Sequence, residues 1–224
     1  MRVRQHVNPL KKELQVPLPP PDWGATFADP GAPLLVDVGC GSGRFALAHA
    51  ARHPGTNVFG LEIRTKLVER AAAWAAAAGV GGRAAFAEAN ATVSLAALLP
   101  TYPGPVTTVA IQFPDPHFKE RHRKRRVVQP GMAAAVAGTL ARGGRVFLQS
   151  DVLEVAESMR ATFEAAAGDL LTPAPEHGDP PAGGWPSWPC AGWLAANPLG
   201  VPTEREVSAG VTGLPVYRCL LVKR

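Results

Sequence analysis

Near the start of this chain a glycine loop stands between two carboxylates, in Asp37-Val38-Gly39-Cys40-Gly41-Ser42-Gly43-Arg44 with Glu62 further on. The loop follows an apolar run of strand length and precedes a helix-period segment, where backbone N–H groups and a helix N-terminus face the crevice beyond the strand ends. A dinucleotide loop needs G-x-G-x-x-G, with its third glycine three residues after the second. Here Gly43 follows Gly41 by two, and Arg44 takes the dinucleotide glycine's place. Asp37 also argues against a dinucleotide, because a carboxylate beside the glycines repels a pyrophosphate and suits a cation. S-adenosylmethionine (SAM), a sulfonium, is such a ligand. Glu62 ends the second strand, 19 residues beyond Gly43, where an acid can accept both ribose hydroxyls. Asn90 ends the third and can meet the adenine edge. The structural alternative is a tight turn with Asp37 as a satisfied core residue and Glu62 as a surface acid. Four features in order at successive strand ends favour the ligand site.

A second cluster follows the fourth strand, in Phe113-Pro114-Asp115-Pro116-His117-Phe118. The two prolines fix the backbone on both sides of Asp115 and hold its carboxylate at the mouth of the site. The run Lys119–Arg126 comes next. It holds six of the chain's 23 bases and one of its 18 acids, leaving 17 of each elsewhere. The chain is a neutral globule with one concentrated basic loop, the footprint of a phosphate-backbone partner. Alone, such a run reads equally well as a solvated surface. Phe113, His117 or Phe118 can stack on an extruded base.

The elements that position these residues alternate regularly. Strands are expected at 33–39, 57–63, 83–90, 106–113 and 144–150. Helices are expected at 43–53, 65–78, 94–99, 128–140 and 152–167. The alternation implies βαβ units and a doubly wound, mainly parallel sheet with helices on both faces. Residues 1–32 read as a basic, proline-rich arm and 33–224 as the domain. A Pro/Gly/Trp-rich stretch spans 172–200, and residues 211–222 read as a final antiparallel strand or hairpin. At 224 residues and 46% hydrophobic content the chain can bury a core and is not globally disordered. No apolar run reaches the roughly 18 residues of a bilayer span. Cys40, Cys190 and Cys219 form neither a disulfide framework nor a zinc cluster, so no metal is expected and a reducing, intracellular compartment fits.

The glycine loop and strand-two acid resemble those of the class I SAM-dependent methyltransferases. Phe113-Pro114-Asp115-Pro116 with Lys119, Arg121-His122 and Lys124-Arg125-Arg126 resembles F-P-D-P-W-x-K-x-R-H-x-K-R-R, the signature of the tRNA (guanine-N(7)-)-methyltransferase family. The opening Arg4-Gln5-His6-Val7-Asn8-Pro9-Leu10 and the ending Pro215-Val216-Tyr217-Arg218 are similar to its plant and algal branch. His117 departs from the usual Trp, and Asn90 from the Asp of many members. The resemblance implies a Rossmann-like fold, SAM as cofactor, and methyl transfer to N7 of the variable-loop guanosine of tRNA. It places Asp37, Gly39, Gly41, Gly43, Glu62, Asn90, Ala91 and Asp115 at the cofactor, with Asp115 catalytic. It places Lys119, Arg123, Asp151, Thr203 and Glu206 at the RNA. It leaves open a monomer or a partner subunit, and plastid or cytoplasm. Thr203-x-x-Glu206 is also a capping box, the reading the sequence favours, and Asp151 serves equally as a helix N-cap. The rival functions are a methyltransferase acting on a small molecule or protein, and an RNA-binding module without catalysis.

Overall fold

The structure, a computed structural model, describes residues 7–118, 120–179, 182, 184 and 187–224. It contains a seven-stranded sheet in the order β3-β2-β1-β4-β5-β7-β6. The strands β1 (Leu34–Val38), β2 (Asn57–Glu62), β3 (Ala84–Glu88), β4 (Val106–Gln112) and β5 (Arg145–Ser150) run parallel. The strands β6 (Leu171–Pro173) and β7 (Tyr217–Lys223) are antiparallel. The doubly wound order and antiparallel C-terminal strand are as expected from the sequence; β6 is additional. Chain order reverses at β1 and β4, the switch point where ligands bind beyond the carboxyl ends of the strands.

The helices are α1 (Trp23–Thr26), α2 (Arg44–Arg52), α3 (Thr65–Ala77), α4 (Ala91–Leu98), α5 (Pro130–Thr139), α6 (Leu153–Ala167) and α7 (Glu204–Val211). Side-chain alternation along the strands sends Leu34, Val36 and Val38 to one face, with Val109 and Leu148, beneath α4, α5 and α6. The other face carries Leu35, Ala110, Phe147 and Leu220 against Phe45 and Ala46 of α2. Two segments differ from the sequence reading. Trp23 and Phe27, within the proline-rich arm, pack edge-on against Phe59 and Tyr102 in the core. Residues 204–211 form a helix started by Thr203, whose hydroxyl accepts from the Glu206 N–H at 3.1 Å. Val211 therefore ends a helix rather than opening a strand. In the Trp-rich stretch Trp185 lies outside the described residues. Trp193 lies under the buried Arg160 guanidinium at 3.8 Å and fixes that segment to α6.

Candidate active site

β1 and β2 deliver Asp37 and Glu62 to the switch point, both almost fully buried. The glycine loop between β1 and α2 turns back through positive φ at Gly39 (77°), Gly41 (56°) and Gly43 (77°), a conformation open to glycine at little cost. Glu62 braces that loop: its Oε2 accepts from the Gly41 N–H at 3.0 Å. Its other acceptor positions are filled by Arg64, through the main-chain N–H at 3.0 Å, Nε at 2.9 Å and a terminal nitrogen at 3.0 Å. The carboxylate expected to hold two ribose hydroxyls is thus saturated by a neighbouring guanidinium, which the sequence reading did not anticipate.

Burial pushes the Asp37 carboxyl up to about 7; the neighbouring Gln112 amide works against this and the Glu62 charge with it. Burial, with the Asp37 and Glu62 charges behind it, likewise holds the Cys40 thiol protonated. Asn90 differs more from expectation. Its Oδ1 caps α4 by accepting from the Thr92 N–H at 3.2 Å, and its amide nitrogen donates to the carbonyls of Pro9 (3.2 Å) and Leu14 (3.0 Å). The side chain expected at an adenine edge ties the N-terminal arm across the crevice. Ala91 lines the cavity as the first residue of α4.

Gly39, Glu62, Asn90 and Ala91 line one cavity of about 150 Å³, while Asp37, Gly41 and Gly43 stand behind its wall. It is smaller than the roughly 300–1,000 Å³ of ligand sites, and Arg64 and Pro9 form part of its wall. Asp115 stands exposed at its mouth, between Phe113 (φ 49°) and His117 (φ 44°). Two non-glycine residues with positive φ on either side of one carboxylate mark a backbone held in place by its surroundings. The Phe113 N–H donates to the Gln149 carbonyl at 2.8 Å, and Arg126 Nε donates to the Pro116 carbonyl at 3.1 Å. Arg126 also pairs with Glu154 at 2.5 Å and is 7% exposed. The basic run therefore divides: Arg126 pins the Asp115 loop, while the 3-10 turn Glu120–Arg125 presents Arg123 and Lys124 to solvent and Arg125 to the cavity. Lys119 lies outside the described residues. His117 meets His122 edge-on at 6.4 Å, and Phe118 is 65% exposed.

The remaining expected substrate residues gather around α7. Asp151 pairs with Arg205 and caps no helix; Ser150 Oγ accepts from the Val152 N–H at 3.1 Å instead. Thr203 caps α7, but Glu206 does not complete the box. Its carboxylate accepts from Arg218 (2.9 Å), Asn197 (2.8 Å) and Gln149 (3.2 Å) and is a half-buried hub. Glu204 reaches back to the glycine loop, taking the Ser42 hydroxyl at 2.7 Å and Arg44 at 2.7 Å. The start of α7 is thus fastened to both the glycine loop and the sheet.

A family model described as "Putative methyltransferase" matches residues 31–177. The chain is 46% identical over 223 residues to a curated tRNA (guanine-N(7)-)-methyltransferase of Synechococcus sp. (strain JA-2-3B'a(2-13)), covering all of this chain and 85% of that one. A relative of the same description from Synechococcus elongatus is 44% identical, covering all of this chain and 97% of that one. The chain belongs to the tRNA (guanine-N(7)-)-methyltransferase family. Among solved structures, the 16S rRNA methyltransferase KamB superposes with a TM-score of 0.52 over 90% of each chain. At 16% identity that likeness shows a shared fold and no more. The methyltransferase fold thus accounts for the crevice at the β1–β4 switch point. Arg64, Gln112 and Gln149 make contacts around this crevice that the sequence reading missed, and Arg126, which it placed only in the basic run, pins the Asp115 loop instead. Glu-Ile-Arg after β2 was the one available signal, since a base two residues past an acid can fold back on it.

Proposed function

We propose that this protein transfers a methyl group from SAM to N7 of a guanine in tRNA, at the cavity lined by Gly39, Glu62 and Asp115. One observation carries the reading: Arg125 of the basic turn and Asp115 line the same cavity as Gly39 and Glu62. A phosphate-binding surface and a donor crevice therefore share one mouth. The donor site fits SAM in its chemistry. Asp37, buried behind Gly39, adds a negative field that suits a cationic ligand, Glu62 supplies acceptors for ribose hydroxyls once Arg64 moves aside, and Gly39 of the glycine loop allows close approach of the ligand. SAM, when bound, supplies a methyl group activated by a positive sulfur.

N7 of guanine carries a lone pair and no proton, so the chain needs no general base. Its task is alignment and electrostatics. Asp115, accepting from the guanine N1–H and exocyclic amino group, orients the ring and raises electron density at N7. Arg123, Lys124 and Arg125 hold the phosphates. Asp151 and Thr203, beside the sheet ends, bound the substrate side. The rigid loop around Asp115 keeps that carboxylate in place without ligand, which is what an orienting group requires.

The test is incubation of unmodified tRNA with methyl-labelled SAM and the protein, nuclease digestion, and chromatography of the nucleosides. Label in 7-methylguanosine is expected. Label in another nucleoside, or in none while the protein binds SAM, overturns the reading.

A further inference from the structure

Arg126, the last base of the run 119–126, is buried where Arg123 and Lys124 are exposed. Its guanidinium is engaged inside the protein: Nε donates to the Pro116 carbonyl at 3.1 Å and a terminal nitrogen to Glu154 of α6 at 2.5 Å. The remaining nitrogen, Nη1, is buried as well and makes no hydrogen bond among the described residues. Little of this side chain is therefore open to a phosphate, and its charge serves something other than RNA affinity.

What it holds is one residue from Asp115. On the N-terminal side the Phe113 N–H donates to the Gln149 carbonyl of β5 at 2.8 Å. On the C-terminal side Pro116 has no N–H, so its main chain can be held only through the carbonyl that Arg126 takes. Phe113 and His117 carry positive φ, a conformation that persists where the surroundings impose it, and the Arg126 bond is one such constraint. Glu154 decides where the guanidinium rests. An exposed ion pair is worth little, but here one partner is buried, and a buried charge without its counter-charge is unfavourable. Glu154 stands in the first turn of α6, which buried Val155, Met159 and Phe163 seat against the core. Asp115, Arg126, Val155 and Met159 line one small cavity beneath the loop, so the carboxylate and the guanidinium lie against the same patch of that helix.

We propose that Glu154 and Arg126 are positioning residues of the methyl transfer: Glu154 orients Arg126, and Arg126, through the Pro116 carbonyl, holds Asp115 where it meets the guanine. This rests on Asp115 being the orienting carboxylate of the reaction. It assigns one base of the basic run to the chemical step rather than to RNA affinity, and it gives a role in that step to an acid on the surface of α6.

Three measurements test it: single-turnover methyl transfer from labelled SAM to tRNA, filter binding of tRNA across a salt series, and calorimetry of S-adenosylhomocysteine. The proteins are wild type, Glu154→Ala, Glu154→Gln, Arg126→Gln, Asp115→Asn, and Asp115→Asn combined with Glu154→Ala. Glu154→Ala and Arg126→Gln should slow transfer at least about tenfold, the size of effect that a small misplacement of a reacting group produces. Glu154→Gln, which keeps an acceptor for the guanidinium, should fall between Glu154→Ala and wild type. The affinities for tRNA and S-adenosylhomocysteine should stay within about twofold of wild type, with the salt slope unchanged. In the Asp115→Asn background Glu154→Ala should slow transfer less than about threefold further, because both act on one group. Glu154 is exposed, so its variants decide the case should Arg126→Gln fail to fold. Wild-type transfer in the Glu154 variants overturns the proposal, as does an equal loss from Glu154→Ala with and without Asp115, the mark of a general structural role. A weaker, less salt-dependent tRNA affinity in Arg126→Gln overturns it too, by placing Arg126 on a phosphate. A wild type that makes no 7-methylguanosine overturns the functional reading itself, and wild-type transfer in Asp115→Asn removes the carboxylate on which the pair acts; each takes the proposal with it.

Discussion

Gly43 and Gly41 lie in the same loop at similar positive φ, yet their replacement by alanine should cost different amounts. A residue with a side chain in the left-handed region costs about 1–2 kcal/mol, and both variants bear that. At Gly41 an added Cβ meets nothing within 4 Å. At Gly43 it lands 2.6 Å from Ala71 Cβ of α3 and 2.9 Å from Phe86 Cε1 of β3. Both neighbours belong to elements that close the loop from below, so relief requires moving α3. Overpacking of that kind adds about 1–3 kcal/mol. Gly43→Ala should therefore lose about 2–5 kcal/mol and Gly41→Ala only about 1–2. Urea unfolding followed by circular dichroism reads the difference, with an unchanged slope showing that the unfolded state is not at issue. Ala71→Gly removes the 2.6 Å clash and should restore part of the stability specifically in the Gly43→Ala background. Equal stability of the two single variants, within about 0.5 kcal/mol, would refute the claim that α3 packs directly against this loop.

Asp115→Asn should leave S-adenosylhomocysteine binding within about twofold and lower turnover on tRNA at least tenfold, about 1.4 kcal/mol of barrier; single-turnover rates near wild type would remove Asp115 from catalysis. Replacing Arg123, Lys124 and Arg125 together by alanine should weaken tRNA binding most at low salt and flatten the plot of log affinity against log salt by about 0.7–0.9 for each phosphate no longer neutralised. Filter binding across a salt series measures it, and an unchanged slope would return the turn to the role of a solvated surface. Asn90→Asp places a carboxylate oxygen against the Pro9 and Leu14 carbonyls, removing two hydrogen bonds of about 0.5–1.5 kcal/mol each. Limited proteolysis should then cut the arm before Trp23 faster than in the wild type, whereas equal rates would show that other interactions hold the arm.

The alternation of apolar strands and helices was legible because each element declares its own period locally, and the strand ends that carry Asp37, Glu62, Asn90 and Asp115 follow from it. What stayed hidden was which partner each of these side chains takes. Glu62 sits at the expected strand end, but Arg64 holds its acceptors; Asn90 sits at the expected position, but its amide serves Pro9 and Leu14, 81 and 76 residues away in sequence. Gln112 and Gln149 are 37 residues apart and read singly as polar interruptions of apolar strands. Their meaning exists only in the β4–β5 register, which no local period encodes. Arg126 shows the same limit from the other side. In sequence it is one more base in a run of six, yet burial and Glu154 make it the pin of the Asp115 loop. Substituting the whole basic run would therefore confound weakened RNA binding with a loosened Asp115 loop, and only variants confined to Arg123, Lys124 and Arg125 separate the two.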